Sequence, residues 1–150
     1  MKLAAHGIHI DLPRGWSGRL FSRQDGVATL HVGNYALALS DGEFGDRSTD
    51  GMRPGAIFFS LTEYRPGAGL RAGHGLFSET RIPRRLDPAG FSVRGLAHPR
   101  PGQVGSQHFF TTAERPFCLY VVLAGHRTER RRQLAAVDHV LSTLRVGRRV

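Results

Sequence analysis

Four arginines, Arg127, Arg130, Arg131 and Arg132, crowd the approach to an apolar stretch, and Arg148 and Arg149 follow it. A guanidinium presents a planar fork of N–H donors that matches a phosphate or carboxylate, and the backbone N–H groups of a helix start add to the same field. Such a cluster can therefore hold an anion. The alternative is structural: the charges meet Asp41, Glu43 or Asp46 across the fold, or face solvent. A helix N-terminus already carries partial positive charge, so each arginine placed there costs roughly 0.3–1 kcal/mol. Counting about 100° per residue from Leu134 puts Arg131 and Arg132 off the apolar face, whereas Arg130 falls on it and must snorkel or pair. Arg127, Arg131, Arg132, Arg148 and Arg149 are the candidate residues for an anion or an acidic partner.

Other constellations are thinner. Eight histidines raise the question of a metal. The best grouping is His9 with Asp11 on one strand face, opposite His31 on a neighbouring strand, but no His-Glu-x-x-His or paired cysteine accompanies it. Asp41, Glu43 and Asp46 lack the spacing and glycine of a calcium loop. The pattern calls for no metal and no cofactor. Gly15-Trp16-Ser17-Gly18 is one residue short of a nucleophile elbow and lies in a hairpin, and Gly67 to Gly75 contains no dinucleotide fingerprint. An enzyme is not the leading reading; if there is one, its site belongs in the irregular stretch 66–90. Nucleic-acid modules supply stacking aromatics or a second short helix, neither of which stands out, so contacts to nucleic acid would run through the phosphate backbone.

The elements that must position these residues follow from composition and pattern. With 150 residues and 40% hydrophobic content, the chain has the size of one domain with a core that needs no disulfide. Cys118, the single cysteine, sits in an apolar run and reads as a small core side chain. No window approaches the roughly 20 apolar residues of a membrane span, and a cytoplasmic setting is the expectation. The net charge of +9 is carried almost wholly by arginine, with Lys2 the only lysine. It is unevenly spread. Eight arginines between 115 and 150 face only Glu129 and Asp138, while Asp41, Glu43, Asp46 and Asp50 make an acidic loop around Arg47.

Ile8, Ile10 and Leu12 alternate with polar residues as a half-buried strand does, and Pro13-Arg14-Gly15 turns it into a hairpin with a strand at 17–23. A third strand is expected at 27–33, a loop at 40–55, and a central strand at 56–64, bracketed by two of the three Arg-Pro-Gly turns. Residues 66–90 are irregular, and a strand is expected at 91–97. Strands at 106–112 and 117–124 then form a hairpin joined by 113–116. The helix that follows is the strongest signal. Leu134, Val137, Val140, Leu141 and Leu144 share a face, no Gly or Pro interrupts 126–146, Thr128 can cap the start and Gly147 the end. Burying those five side chains contributes roughly 1.5–3 kcal/mol each before entropy.

The predicted fold class is α+β, a largely antiparallel sheet packed by a C-terminal helix. A first strand closed by Leu12-Pro13-x-Gly15-Trp16, together with a last hairpin feeding a helix that ends Val140-Leu141-Ser142-Thr143-Leu144, resembles the PsbP-like fold group. The resemblance covers about a third of the chain, at its two ends. It implies a sandwich-like domain acting as a binding or assembly protein without catalysis, and it carries no metal or partner-contacting residue onto this sequence. Its helices have no counterpart in 66–90. The expected role is thus a non-catalytic binding or assembly module for a protein partner, acidic if the arginines serve it, with nucleic acid as the alternative.

Overall fold

The structure, a computed structural model, describes residues 1–67 and 69–149. Its elements are β1 (Lys2–Ala5), β2 (Ile8–Asp11), β3 (Ser17–Ser22), β4 (Ala28–Gly33), α1 (Asp46–Thr49), β5 (Ile57–Glu63), β6 (Gln103–Thr112), β7 (Arg115–Ala124), α2 (Arg130–Leu141) and β8 (Arg145–Val146). Strands β5 and β7 are buried at every residue, which is why β7 is near-continuously apolar from Phe117 to Ala124, while β5 encloses Ser60, Thr62 and Glu63 beside Ile57, Phe58, Phe59 and Leu61. They pair side by side at the middle of an antiparallel five-stranded sheet of order β3-β4-β5-β7-β6. The fold class is α+β as expected.

The pleat divides the core in two. On one face Ile57, Phe59 and Leu61 join Leu119, Val121 and Leu123, and meet Leu134, Val137, Val140 and Leu141 of α2 together with Ile8 and Ile10 of a second sheet. On the other face Phe58, Cys118, Tyr120 and Val122 are covered by loop residues, among them Tyr35, Phe44, Met52 and Leu96. Neither face of the sheet's centre is left to water.

Several local expectations are corrected. Residues 8–12 and 17–23 do not pair: β2 lies between β1 and β8 in a separate three-stranded sheet, while β3 pairs only with β4. The opening hairpin is β1–β2, turned by His6 and Gly7, both at positive φ. The helix is shorter than its expected span between Thr128 and Gly147. Residues 127–129 form a 3-10 turn, α2 ends at Leu141, and Leu144 is fully buried in the turn that leads into β8. His126, not Thr128, is the capping side chain: its Nδ1 accepts from the Thr128 N–H at 3.2 Å. No strand forms at 91–97; a 3-10 turn at Val93–Gly95 and an isolated bridge between Ser92 and Gly105 occupy that stretch. Residues 66–90 carry a 3-10 turn at Gly75–Phe77, whose Phe77 ring packs on Tyr64 and Phe109 at 5.4 and 5.8 Å. Farther along, Arg84 donates to the carbonyls of Leu141 and Leu144, covering the end of α2.

The β6–β7 connection is two residues, with Arg115 and Pro116 already in the strand. Ala113 and Glu114 have φ of 51° and 61°. Positive φ at both central residues fits the twist of a tight hairpin but crowds any Cβ, which is why Asn-Gly is the favoured pair there. Ala113→Asn with Glu114→Gly is accordingly expected to stabilise by about 1 kcal/mol. A urea midpoint that stays put or falls would contradict this.

Candidate functional site

The arginine turn is built where the central sheet hands over to the helix. Strand β7 ends at Ala124, and Gln133 ties the first turn of α2 to that point by donating from Nε2 to Ala124 O (3.0 Å) and Ala56 O (3.3 Å). Arg127, Arg131 and Arg132 are held exposed on this shoulder. Arg130 is half-buried, and its Nε is enclosed without a hydrogen-bond partner, as its place on the apolar face predicts. The nearest carboxylate is Glu129, 4.0 Å from Arg132, a side chain that remains 83% exposed. Among the described residues, Arg127 and Arg131 have no ion pair.

The five candidate arginines do not form one site. Arg148 and Arg149 lie beyond the other end of α2, about 18 Å along a 12-residue helix axis. Arg148 is exposed. Arg149 is committed internally: its Nε donates to Glu63 Oε2 at 2.9 Å. Glu63 also receives a two-pronged contact from buried Arg115 (Nε to Oε2 2.9 Å, Nη2 to Oε1 3.1 Å) and the Ala28 N–H at 3.1 Å. Burial alone would raise the Glu63 carboxyl, but hydrogen bonds from Arg115, Arg149 and Ala28 outweigh it and hold it below the usual carboxylate range. Arg115 further donates to Gly147 O at 2.9 Å. The end of the chain is thus pinned onto the core by a buried ion cluster. Sequence reasoning missed this cluster. Its signal was Glu63 itself, a carboxylate closing an apolar strand, which demands a cation.

The acidic loop does not reach the arginine turn either. Asp46 pairs with Arg100 at 2.6 Å, Asp50 lies 3.6 Å from the same guanidinium, and Glu43 lies 3.9 Å from Arg23. Asp41 accepts the backbone N–H groups of Arg47 and Ser48 at the start of α1. Burial would raise its carboxyl, and those hydrogen bonds instead lower it. Among the described residues, every Asp and Glu but Glu114 touches a cation or a backbone N–H. Most carboxylates thus have a partner away from the arginine turn, and the chain keeps a formal net charge of +9.

The histidine grouping is also separated. His9 is exposed on the small sheet, whereas His31 is buried in β4 between the edges of Phe21 and Phe58, each 5.2 Å away. Its Nε2 donates to Glu43 O at 3.0 Å, and burial keeps the ring neutral by lowering its pKa. Among the described residues no three His, Cys, Asp or Glu side chains are grouped to hold a metal. Cys118 is fully buried, and burial pushes its thiol up to about 12.

Two grooves touch the 66–90 stretch. One, of about 520 Å³, has Thr80, Thr112 and Glu114 among its walls; the other, of about 330 Å³, opens between Arg81, Pro83 and His108. Beside the second, His108 Nε2 lies 2.9 Å from Ser106 Oγ, yet Ser106 is 4% exposed and does not line the groove. The pair is a side-chain bond along β6. No helix of the described residues is long and apolar enough to cross a membrane. No family model, curated protein or solved structure matches the chain.

Proposed function

We propose that the protein is a non-catalytic binding module of the cytoplasm that docks an acidic protein segment on Arg127, Arg131 and Arg132. One observation carries this reading: these exposed guanidinium groups burden the helix start they occupy, and only Glu129 among the carboxylates stands beside them. A cost retained with a single internal partner for three arginines, Glu129 at 4.0 Å from Arg132, points to an external one. The likeness of the chain's two ends to PsbP-like binding and assembly proteins leads the same way.

The test is fluorescence anisotropy with a labelled poly-glutamate peptide, with a short DNA duplex as competitor, across a salt series. The peptide is expected to bind at low ionic strength and release as salt rises. Changing Arg127, Arg131 and Arg132 together to Ala should weaken it about tenfold, since three exposed ion pairs of ~0.5 kcal/mol each sum to roughly 1.5 kcal/mol. No binding at low salt, or equal binding by the triple variant, rejects the proposal. A duplex that displaces the peptide at far lower concentration replaces it with the nucleic-acid reading.

A further inference from the structure

At the other end of α2 the small sheet and the turn after the helix enclose a groove of about 420 Å³, within the range of small-molecule sites. Its floor is the outer face of β1 and β2. Ala4, His9 and Arg145 lie in one cross-strand row, and Lys2 and Asp11 are partners in the next row. Adjacent strands stand about 4.8 Å apart, so the methyl of Ala4 leaves a depression beside the longer side chains. The wall is Ser142 and Thr143. The Thr143 hydroxyl accepts from the Asp11 N–H at 3.0 Å and donates to Val140 O at 2.7 Å, fixing the turn to β2 just past the point where β8 stops.

The cations in this groove are unspent, whereas Asp11 lies 3.9 Å from the Met1 ammonium. Among the described residues Lys2, His9 and Arg145 make no ion pair and no side-chain hydrogen bond, and they come from three different strands. Asp11 is the one carboxylate on the lining. The carbonyl end of α2 is close by and would repel an anion, but Arg84 already binds the carbonyls of Leu141 and Leu144 and offsets that pole. Lys2 and Arg145 against Asp11 leave the lining net positive, and the His9 ring adds an N–H donor, so the groove offers enough donors for the three terminal oxygens of a phosphate monoester. A carboxylate ligand would leave donors unused.

We propose that this groove binds a small molecule through a phosphate monoester, with Arg145 as the forked donor and Lys2 and His9 completing the cradle. The site is separate from the arginine turn and does not depend on it.

Titration of isotope-labelled protein with phenyl phosphate, followed by amide NMR and repeated with benzoate at matched ionic strength, tests the assignment. Saturable shifts are expected at residues 2–4, 9–11 and 142–145. Arg145→Ala should weaken binding at least about tenfold, the loss of one charge-assisted hydrogen bond, and Asp11→Asn should tighten it. Joint replacement of Arg127, Arg131 and Arg132 should leave it unchanged, so failure of the peptide-docking proposal and failure of this one are distinguishable. The assignment is overturned by the lack of any saturable shift at low salt, by an Arg145→Ala protein that binds phenyl phosphate as tightly as the parent, or by benzoate binding as tightly as the phosphate.

Discussion

Glu63→Ala is expected to cost about 3–5 kcal/mol of stability, because it leaves the buried Arg115 guanidinium without its counter-charge. The Glu63 side chain is 1% exposed and that of Arg115 is 4% exposed, so water does not replace the lost bonds. Arg115→Ala should cost a similar amount for the mirror-image reason. Arg149→Ala should cost only about 1 kcal/mol, since Arg149 is 46% exposed and its contact is screened. Exchanging both buried partners, Glu63→Leu with Arg115→Met, should recover most of the loss, because neither ion is then stranded. Urea unfolding of the four proteins decides it: a Glu63→Ala cost under 1 kcal/mol, or no recovery in the double variant, contradicts the account.

The same cluster sets an acid limb. The folded Glu63 carboxyl titrates below its ordinary value of 4.5, so its contribution is complete above that pH and is lost as pH falls through the folded value. Buried His31 and half-buried His108 act earlier. Their pKa values are lowered from 6.5, so stability declines as pH drops below 6.5 and the unfolded imidazoles take up protons. In Glu63→Gln the histidine part of the profile should persist while the slope below about pH 4.5 becomes shallower than in the parent.

Which features were legible in the sequence depended on how many residues shared the work. The β5 and β7 runs and the apolar stripe of α2 bury many side chains in one pattern, so each was visible from periodicity or composition alone. Strand β8 consists of Arg145 and Val146 only and exists because Gly147 N donates to Gly7 O and Ile8 pairs with Val146. No local pattern can show two residues held by a distant partner. The same limit assigned β2 to β3, since Pro13-Arg14-Gly15 looks like a hairpin turn whether or not the strands it joins belong to one sheet. At the arginines, exposure of Arg131 and Arg132 followed from helical geometry, but the Arg149 contact needed the long-range return of the chain to Glu63. The groove on the small sheet had one visible component, His9 and Asp11 on a shared face; its other members arrive through β1 and β8.

Gly95→Ala is expected to cost about 3 kcal/mol, and the reason is also why 91–97 forms a turn in place of a strand. A Cβ at Gly95 would lie 2.0 Å from Gly105 O and 2.5 Å from its carbonyl carbon, which are backbone atoms of β6 and cannot swing aside. The segment is held there by two hydrogen bonds between Ser92 and Gly105, at 3.1 and 2.9 Å, and by Ala97 N donating to Tyr120 Oη at 2.9 Å. A strand was expected at 91–97, but a regular strand could not bring two glycines into backbone contact. The turn lets Leu96 drop onto Tyr120 and close the second face of the sheet. An added methyl must lift the segment, combining an overpacking cost of about 1–3 kcal/mol with loss of one or both bridge bonds at roughly 1 kcal/mol each. Gly90→Ala is the control, since a Cβ there meets nothing within 4 Å and its φ is not in the left-handed range. It should be neutral or slightly stabilising. Urea midpoints and hydrogen exchange at the Ser92 and Gly105 amides report the difference; a Gly95→Ala protein as stable as the parent, with both amides still protected, would show that β6 can yield where the packing says it cannot.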